Sequence, residues 1–171
     1  MLCGDDQTSD ENHLSRLVDL VQSRELACLV ETIALAEHLG ADGVHLPADP
    51  KAYKDARTRL GESANIGVDC GLSRHDAISF AESGADYVAF SAAPRAGIDG
   101  INQCADLISW WAELFVVPCV AWNVESARDA ARLAALGADF IAPSPRLWYE
   151  PNAQRLIAEI DSAVRQARRA A

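Results

Sequence analysis

The sequence predicts an α/β protein assembled from seven βα units, and three observations predict it. The first is a phrase that recurs: LGADGVHL at 39–46, SGADYVAF at 83–90 and LGADFIAP at 136–143. In each copy an Ala-rich helical stretch ends at a glycine, and Ala-Asp then leads into a short β-branched or aromatic run. Glycine suits a left-handed helix C-cap, and aspartate disfavours continuing the helix because its carboxylate competes for backbone donors. The second observation is spacing. Gly40 and Gly84 are 44 residues apart and Gly84 and Gly137 are 53 apart, and each interval holds one further apolar run, NIGVDC at 65–70 and VPCVAW at 117–122. Each interval is therefore two βα units. The third is that the intervening segments are amphipathic at helical period.

In order, strands are expected near 2–4, 27–31, 42–46, 65–70, 86–91, 117–122 and 139–143. Helices are expected near 11–24, 32–40, 51–60, 73–84, 101–115, 125–137 and 152–169. The strands are short and apolar on both faces, as parallel strands covered by helices must be. In the helix over 126–136, Ala127, Ala130, Ala131, Leu133, Ala134 and Leu136 can face a sheet while Arg128, Asp129 and Arg132 face water. The 171 residues read as a single domain, 1–171, with no linker or low-complexity tract; an open doubly wound sheet and a barrel both satisfy the pattern.

Fifteen basic residues against twenty-five acidic give a net charge of −10, which opposes binding to nucleic acid or to anionic membrane surfaces. The one basic cluster, Arg165, Arg168 and Arg169, sits at the chain end. No apolar stretch approaches the ~18 residues of a membrane span, and no basic-then-apolar signal peptide is visible at the N-terminus. The five cysteines are odd in number and never spaced C-x-x-C, against structural zinc and against a disulfide framework. Buried, reduced thiols in a cytoplasmic protein are expected.

The segments GADGVHLPAD (40–49), IGVDCGLSRHDA (66–77) with AESGADYVAF (81–90), and VPCVAWNV (117–124) with LAALGADFIA (133–142) resemble the thiamine phosphate synthase family, which includes a thiazole tautomerase branch. The resemblance runs from Leu2 to about Arg169. It implies a (β/α) TIM-type barrel of about seven βα units, the first unit of the eight-stranded barrel being missing or incomplete. It also implies a reaction site at the C-terminal ends of the strands. The family couples a pyrimidine pyrophosphate to a thiazole phosphate with Mg²⁺ assistance. Such a site needs carboxylates for the metal, cations for pyrophosphate and a backbone cradle for phosphate.

On that alignment the metal carboxylates become Glu31 and Asp49. Both also read as helix caps, Glu31 for a helix beginning near Thr32 and Asp49 for one beginning at Pro50. The family's cationic Q-L-R-E-K-like stretch is replaced by Cys3-Gly4-Asp5-Asp6-Gln7, so two cations become two anions where the leaving group would sit. In the loop SAAPRAGID (91–99), Arg95 stands in for a lysine or is a solvated loop arginine. The I-G-G-I phosphate cradle is replaced by Trp122-Asn123-Val124-Glu125. There Asn123 can take a positive φ and present a donor, while Glu125 repels phosphate. Downstream, Ser144 and Arg146 in APSPR precede the last helix, where a barrel places the second half of a phosphate site, or else they form an ordinary turn.

The family's fifth-strand histidine is absent. Asp69 holds the end of that strand and can act as a carboxylate base if desolvated. His45 alternates with apolar residues as a core or lumen histidine, His75 falls in a first helical turn, and His13 and His38 carry no signal.

The resemblance implies a thiamine phosphate synthase-like protein, while these substitutions favour loss of the family's own reaction. The alternative is a catalytically inactive family member, or a binder of another small phosphorylated heterocycle. A barrel short of one unit has strand edges to cover, so a homo-oligomer is expected. Trp110, Trp111 and Phe115 either meet a second subunit or are buried under a neighbouring helix.

Overall fold

The computed structural model describes residues 5–92 and 99–170, and of residues 5–11 the backbone alone. They fall into two compact units, one ending at Gly67 and the other beginning at Val68.

The first unit runs α1 (Asp5–Gln22), β1 (Leu29–Val30), α2 (Ile33–Leu39), β2 (Gly43–Pro47), α3 (Pro50–Leu60) and the start of β3 (Asn65–Asp69). Helix α2 begins where the Thr32 hydroxyl accepts the Leu35 N–H at 3.2 Å, and ends at Gly40, whose φ of 64° is the left-handed cap foreseen for the repeated phrase. Strand β1 pairs parallel to β2, Leu29 opposite Gly43 and Val30 opposite Val44. The Asn65 N–H donates to the Asp42 carbonyl at 2.9 Å, bringing β3 alongside β2. That approach explains Gly43: a Cβ there would lie 1.9 Å from the Asn65 carbonyl oxygen. The core of this unit is built from Val18, Ala36, Val44, Leu46, Tyr53, Ala56 and Ile66.

The second unit continues from the end of β3 through α4 (Arg74–Glu82), β4 (Tyr87–Ser91), α5 (Gly100–Leu114), β5 (Cys119–Val124), α6 (Ala127–Ala135) and β6 (Phe140–Pro143). A 3-10 turn over Pro145–Tyr149 and α7 (Ala153–Ala170) follow. Strands β4, β5 and β6 of this unit lie side by side in chain order. Val88 to Ser91 pair in parallel with Cys119 to Trp122, and β5 pairs in parallel with β6 through Val120–Phe140 and Ala121–Ile141. The β5–β6 register then shifts, resuming at Val124–Pro143, and Asn123 sits in this irregularity with a φ of 62°. Bulges of this kind bend a strand and re-aim its side chains.

Helices α4, α5 and α6 start at side-chain caps supplied by Ser73, Asp99 and Ser126. Ala130, Leu133 and Ala134 of α6 are buried while Arg128 and Arg132 are exposed, as the periodicity requires, and α6 packs along α7. Phe115 of the aromatic cluster is half-buried, and Trp111 is buried. It is 1% exposed, stacks on Phe115 at 4.0 Å, meets Phe90 edge-on and donates its indole N–H to the Val117 carbonyl at 2.7 Å. Its neighbour Trp110 is half-buried beneath the Arg74 guanidinium.

Six of the seven expected strands and all seven helices are present, each within a few residues of its expected bounds except α1, which begins earlier, at Asp5. The strand expected at 2–4 lies outside the described residues. Asp5, Asp6 and Gln7, expected as a strand-end stretch, form the first turn of α1 instead. Among the described residues no helix is long and apolar enough to cross a membrane.

Candidate functional site

The polar residues of the second unit collect where its parallel strands end. At the end of β3, the Asp69 carboxylate accepts the Gly71 N–H at 2.9 Å, and Gly71 takes a φ of 57°. This tight turn half-buries Asp69. Next to it the Ser91 N–H, closing β4, donates to the Gly71 carbonyl at 2.9 Å. The buried Ser91 hydroxyl accepts from the Asn123 side-chain amide at 3.1 Å, so the β5 bulge is tied to the end of β4. On the far side of β5 the Ser144 N–H donates to the Val124 carbonyl at 2.9 Å. Ser144 is 3% exposed, and its hydroxyl makes no cap bond to the 3-10 turn it precedes. Asn123 and Ser144 thus flank the ends of neighbouring strands.

The charge around this rim is negative. A cavity of about 210 Å³ is lined by Ala92, Asp99, Gly100, Ile101, Asn123, Glu125 and Asp129. Two of the three carboxylates serve helix starts: Asp99 accepts the Asn102 N–H at 3.3 Å, and Asp129 accepts the Ser126 hydroxyl at 2.7 Å. The third, Glu125, pairs with Arg146 at 3.4 Å. Arg146 rises from the 3-10 turn with its side chain 80% exposed. Arg95 lies outside the described residues.

The expected metal carboxylates belong to the first unit. Asp49 caps α3, its Oδ1 accepting from Lys51 N–H at 2.8 Å and Ala52 N–H at 3.3 Å. Glu31 is exposed at the end of β1, and the cap of the following helix is Thr32 rather than Glu31. Threonine wins because its short side chain reaches the Leu35 N–H from the position directly before the first helical residue. Among the described residues no three Asp, Glu, His or Cys side chains group closely enough to hold a metal ion.

Beside Asp69, the Cys70 thiol is pushed up to about 12 by burial and by the nearby Asp76 and Asp69 carboxylates, so it is a protonated packing group and not a nucleophile. His75 is exposed in the first turn of α4 and His45 is half-buried in β2. Sequence reasoning missed the Ser91–Asn123 bond and the Glu125–Arg146 pair. Neither carries a local sequence signal, since 32 and 21 residues separate the partners.

Parallel strands in chain order with helices between them define the class of α/β proteins built from repeated βα units. A family model described as Thiamine monophosphate synthase matches residues 5–145, and the chain belongs to that family. It is 40% identical over 148 residues to a thiamine-phosphate synthase of Erythrobacter litoralis, covering 81% of this chain and 70% of that protein. It is 39% identical over 135 residues to one from Rhodospirillum centenum, covering 77% and 65%. The chain spans 60 to 70% of the length of these and of the Hyphomonas neptunium relative.

Among solved structures, thiamine phosphate pyrophosphorylase from Pyrococcus furiosus shares the fold with a TM-score of 0.77 at 18% identity, over 98% of this chain and 81% of that one. 3-Hexulose-6-phosphate synthase from Salmonella typhimurium does so with 0.65 at 18% identity, over 92% and 81%.

Proposed function

We propose that this chain is a thiamine-phosphate-synthase-like protein whose second unit binds the phosphate of a small phosphorylated heterocycle through Asn123, Ser144 and Arg146. The observation that carries this reading is the β5 bulge. It turns Asn123 to positive φ at the end of β5 while Ser144, buried and bonded to the neighbouring Val124 carbonyl, opens the turn that bears Arg146. A hydroxyl, a side-chain amide and one guanidinium are groups that can hold a phosphate monoester. The carboxylates of Asp99, Glu125 and Asp129 around the adjoining cavity oppose a pyrophosphate leaving group, so in this reading the chain retains binding and has lost the family's coupling step.

The 40% identity to a named thiamine-phosphate synthase favours a second reading, the coupling itself. In it Glu31 and Asp49 hold Mg²⁺, which would neutralise charge on the departing pyrophosphate, Arg95 assists, and Asp69 serves as a carboxylate base. Both readings treat 1–171 as one domain of a TIM-type barrel in a cytoplasmic homo-oligomer. The continuous family match across the boundary at Gly67 supports the single domain.

One experiment separates the two. The protein is given both thiamine precursors and Mg²⁺ beside an active homologue, and thiamine phosphate is measured. Absence of product at high protein concentration removes the coupling reading. Binding of a phosphate ester that weakens in Arg146→Ala supports the binding reading, and binding that ignores Arg146 removes that residue from the site.

A further inference from the structure

Glu125 belongs to two features at once. Its side chain lines the 210 Å³ cavity beside Asn123, and its Oε1 lies 3.4 Å from Nη1 of Arg146. The contact is long for a charge-assisted hydrogen bond, which closes to about 2.7–2.9 Å, and the arginine side chain is 80% exposed. The guanidinium is therefore held loosely and stays available to a better acceptor. Carboxylate and phosphate compete for the same fork of guanidinium donors. Glu125 follows directly on the bulge that aims Asn123, and the Ser144 N–H is anchored on the intervening Val124 carbonyl. The carboxylate accordingly stands among the very groups assigned above to phosphate.

We propose that Glu125 tunes ligand binding at this rim: its carboxylate competes with a bound phosphate for the Arg146 guanidinium and so sets how tightly the rim holds phosphate. This inference rests on the phosphate-binding reading of Asn123, Ser144 and Arg146. The pair is exposed and Glu125 precedes α6, so it owes little to folding, and its charge acts on the ligand instead.

The test is a ³¹P NMR titration of inorganic phosphate at pH 8, where the dianion dominates, into wild type, Glu125→Gln, Glu125→Ala and the double variant Glu125→Gln/Arg146→Ala, each first shown to melt like wild type. Removing the carboxylate is expected to tighten phosphate binding about tenfold in both single variants, a change of about 1.4 kcal/mol. The double variant is expected to lose that gain. Binding by wild type and Glu125→Gln within twofold of each other overturns the role of Glu125 and leaves the phosphate reading standing. Absence of phosphate binding in every variant overturns both.

Discussion

The Asp139 carboxylate accepts the backbone N–H of Cys119 at 2.8 Å, across twenty residues of sequence, while the Asp139 N–H returns to the Cys119 carbonyl at 3.0 Å. The same two bonds join Asp42 to Cys28, at 2.7 and 2.8 Å. In these two copies of the Gly-Ala-Asp phrase the aspartate is thus a clamp that binds the start of the preceding strand and sets where the next strand begins. Aspartate is suited because its short carboxylate reaches the neighbouring strand's N–H from its own backbone position and brings a charge-assisted acceptor.

Breaking that clamp should be costly. Asp139→Ala leaves the N–H of buried Cys119 without its acceptor, and a loss of about 1–3 kcal/mol in urea unfolding is expected. Asp139→Asn keeps an acceptor oxygen and should recover part of it. Equal destabilisation by both variants would show that charge, not the hydrogen bond, does the holding.

Asp42 carries a pH signature. The Cys28 N–H and then the Gln22 side-chain amide hold its carboxyl below the usual carboxylate range. A group depressed in the folded state releases its proton before the unfolded chain does. Its contribution is therefore present above about pH 4 and is lost as pH falls through the lower folded value. Urea midpoints measured from pH 2.5 to 5 should rise with pH, and Asp42→Asn should flatten that rise.

The buried thiols give the opposite slope at high pH. Burial lifts Cys70 and Cys104 to about 12 and Cys119 to about 11. Unfolded thiols titrate near 8.5, so above that pH the unfolded chain sheds protons that the folded chain retains. Stability is full below it and falls by about 1.4 kcal/mol per pH unit for each such thiol. Denaturation under reductant at pH 8, 9 and 10 should show this decline. Iodoacetamide at pH 8 should leave all three unmodified until urea is added.

Two glycines three residues apart should behave differently. Gly43→Ala drives a methyl group into the Asn65 backbone carbonyl, which retreats only if β2 and β3 separate; a cost of about 3 kcal/mol or more is expected. Gly40→Ala meets nothing within 4 Å and bears only the strain of its φ of 64°, about 1 kcal/mol. Thermal melts of the two variants give the comparison directly.

The order of strands and helices was legible from the chain because it depends on local physics. Glycine ends a helix, Ser, Thr and Asp begin one, and apolar runs of four to six residues form covered parallel strands. The positive φ of Asn123 was legible for the same reason. The Asp42 and Asp139 clamps were not, although their aspartates stand in the most conspicuous phrase of the sequence, because a carboxylate's partner lies across a strand pair that only pairing and register define. Nor could composition say whether Glu125 and Arg146 would meet, since 21 residues, with a helix and a strand among them, separate the two. What was written in residue order is the series of βα units and the family. What folding decided is which charges face one another at the strand ends, because distance in space, and not in sequence, sets electrostatic and hydrogen-bond energies.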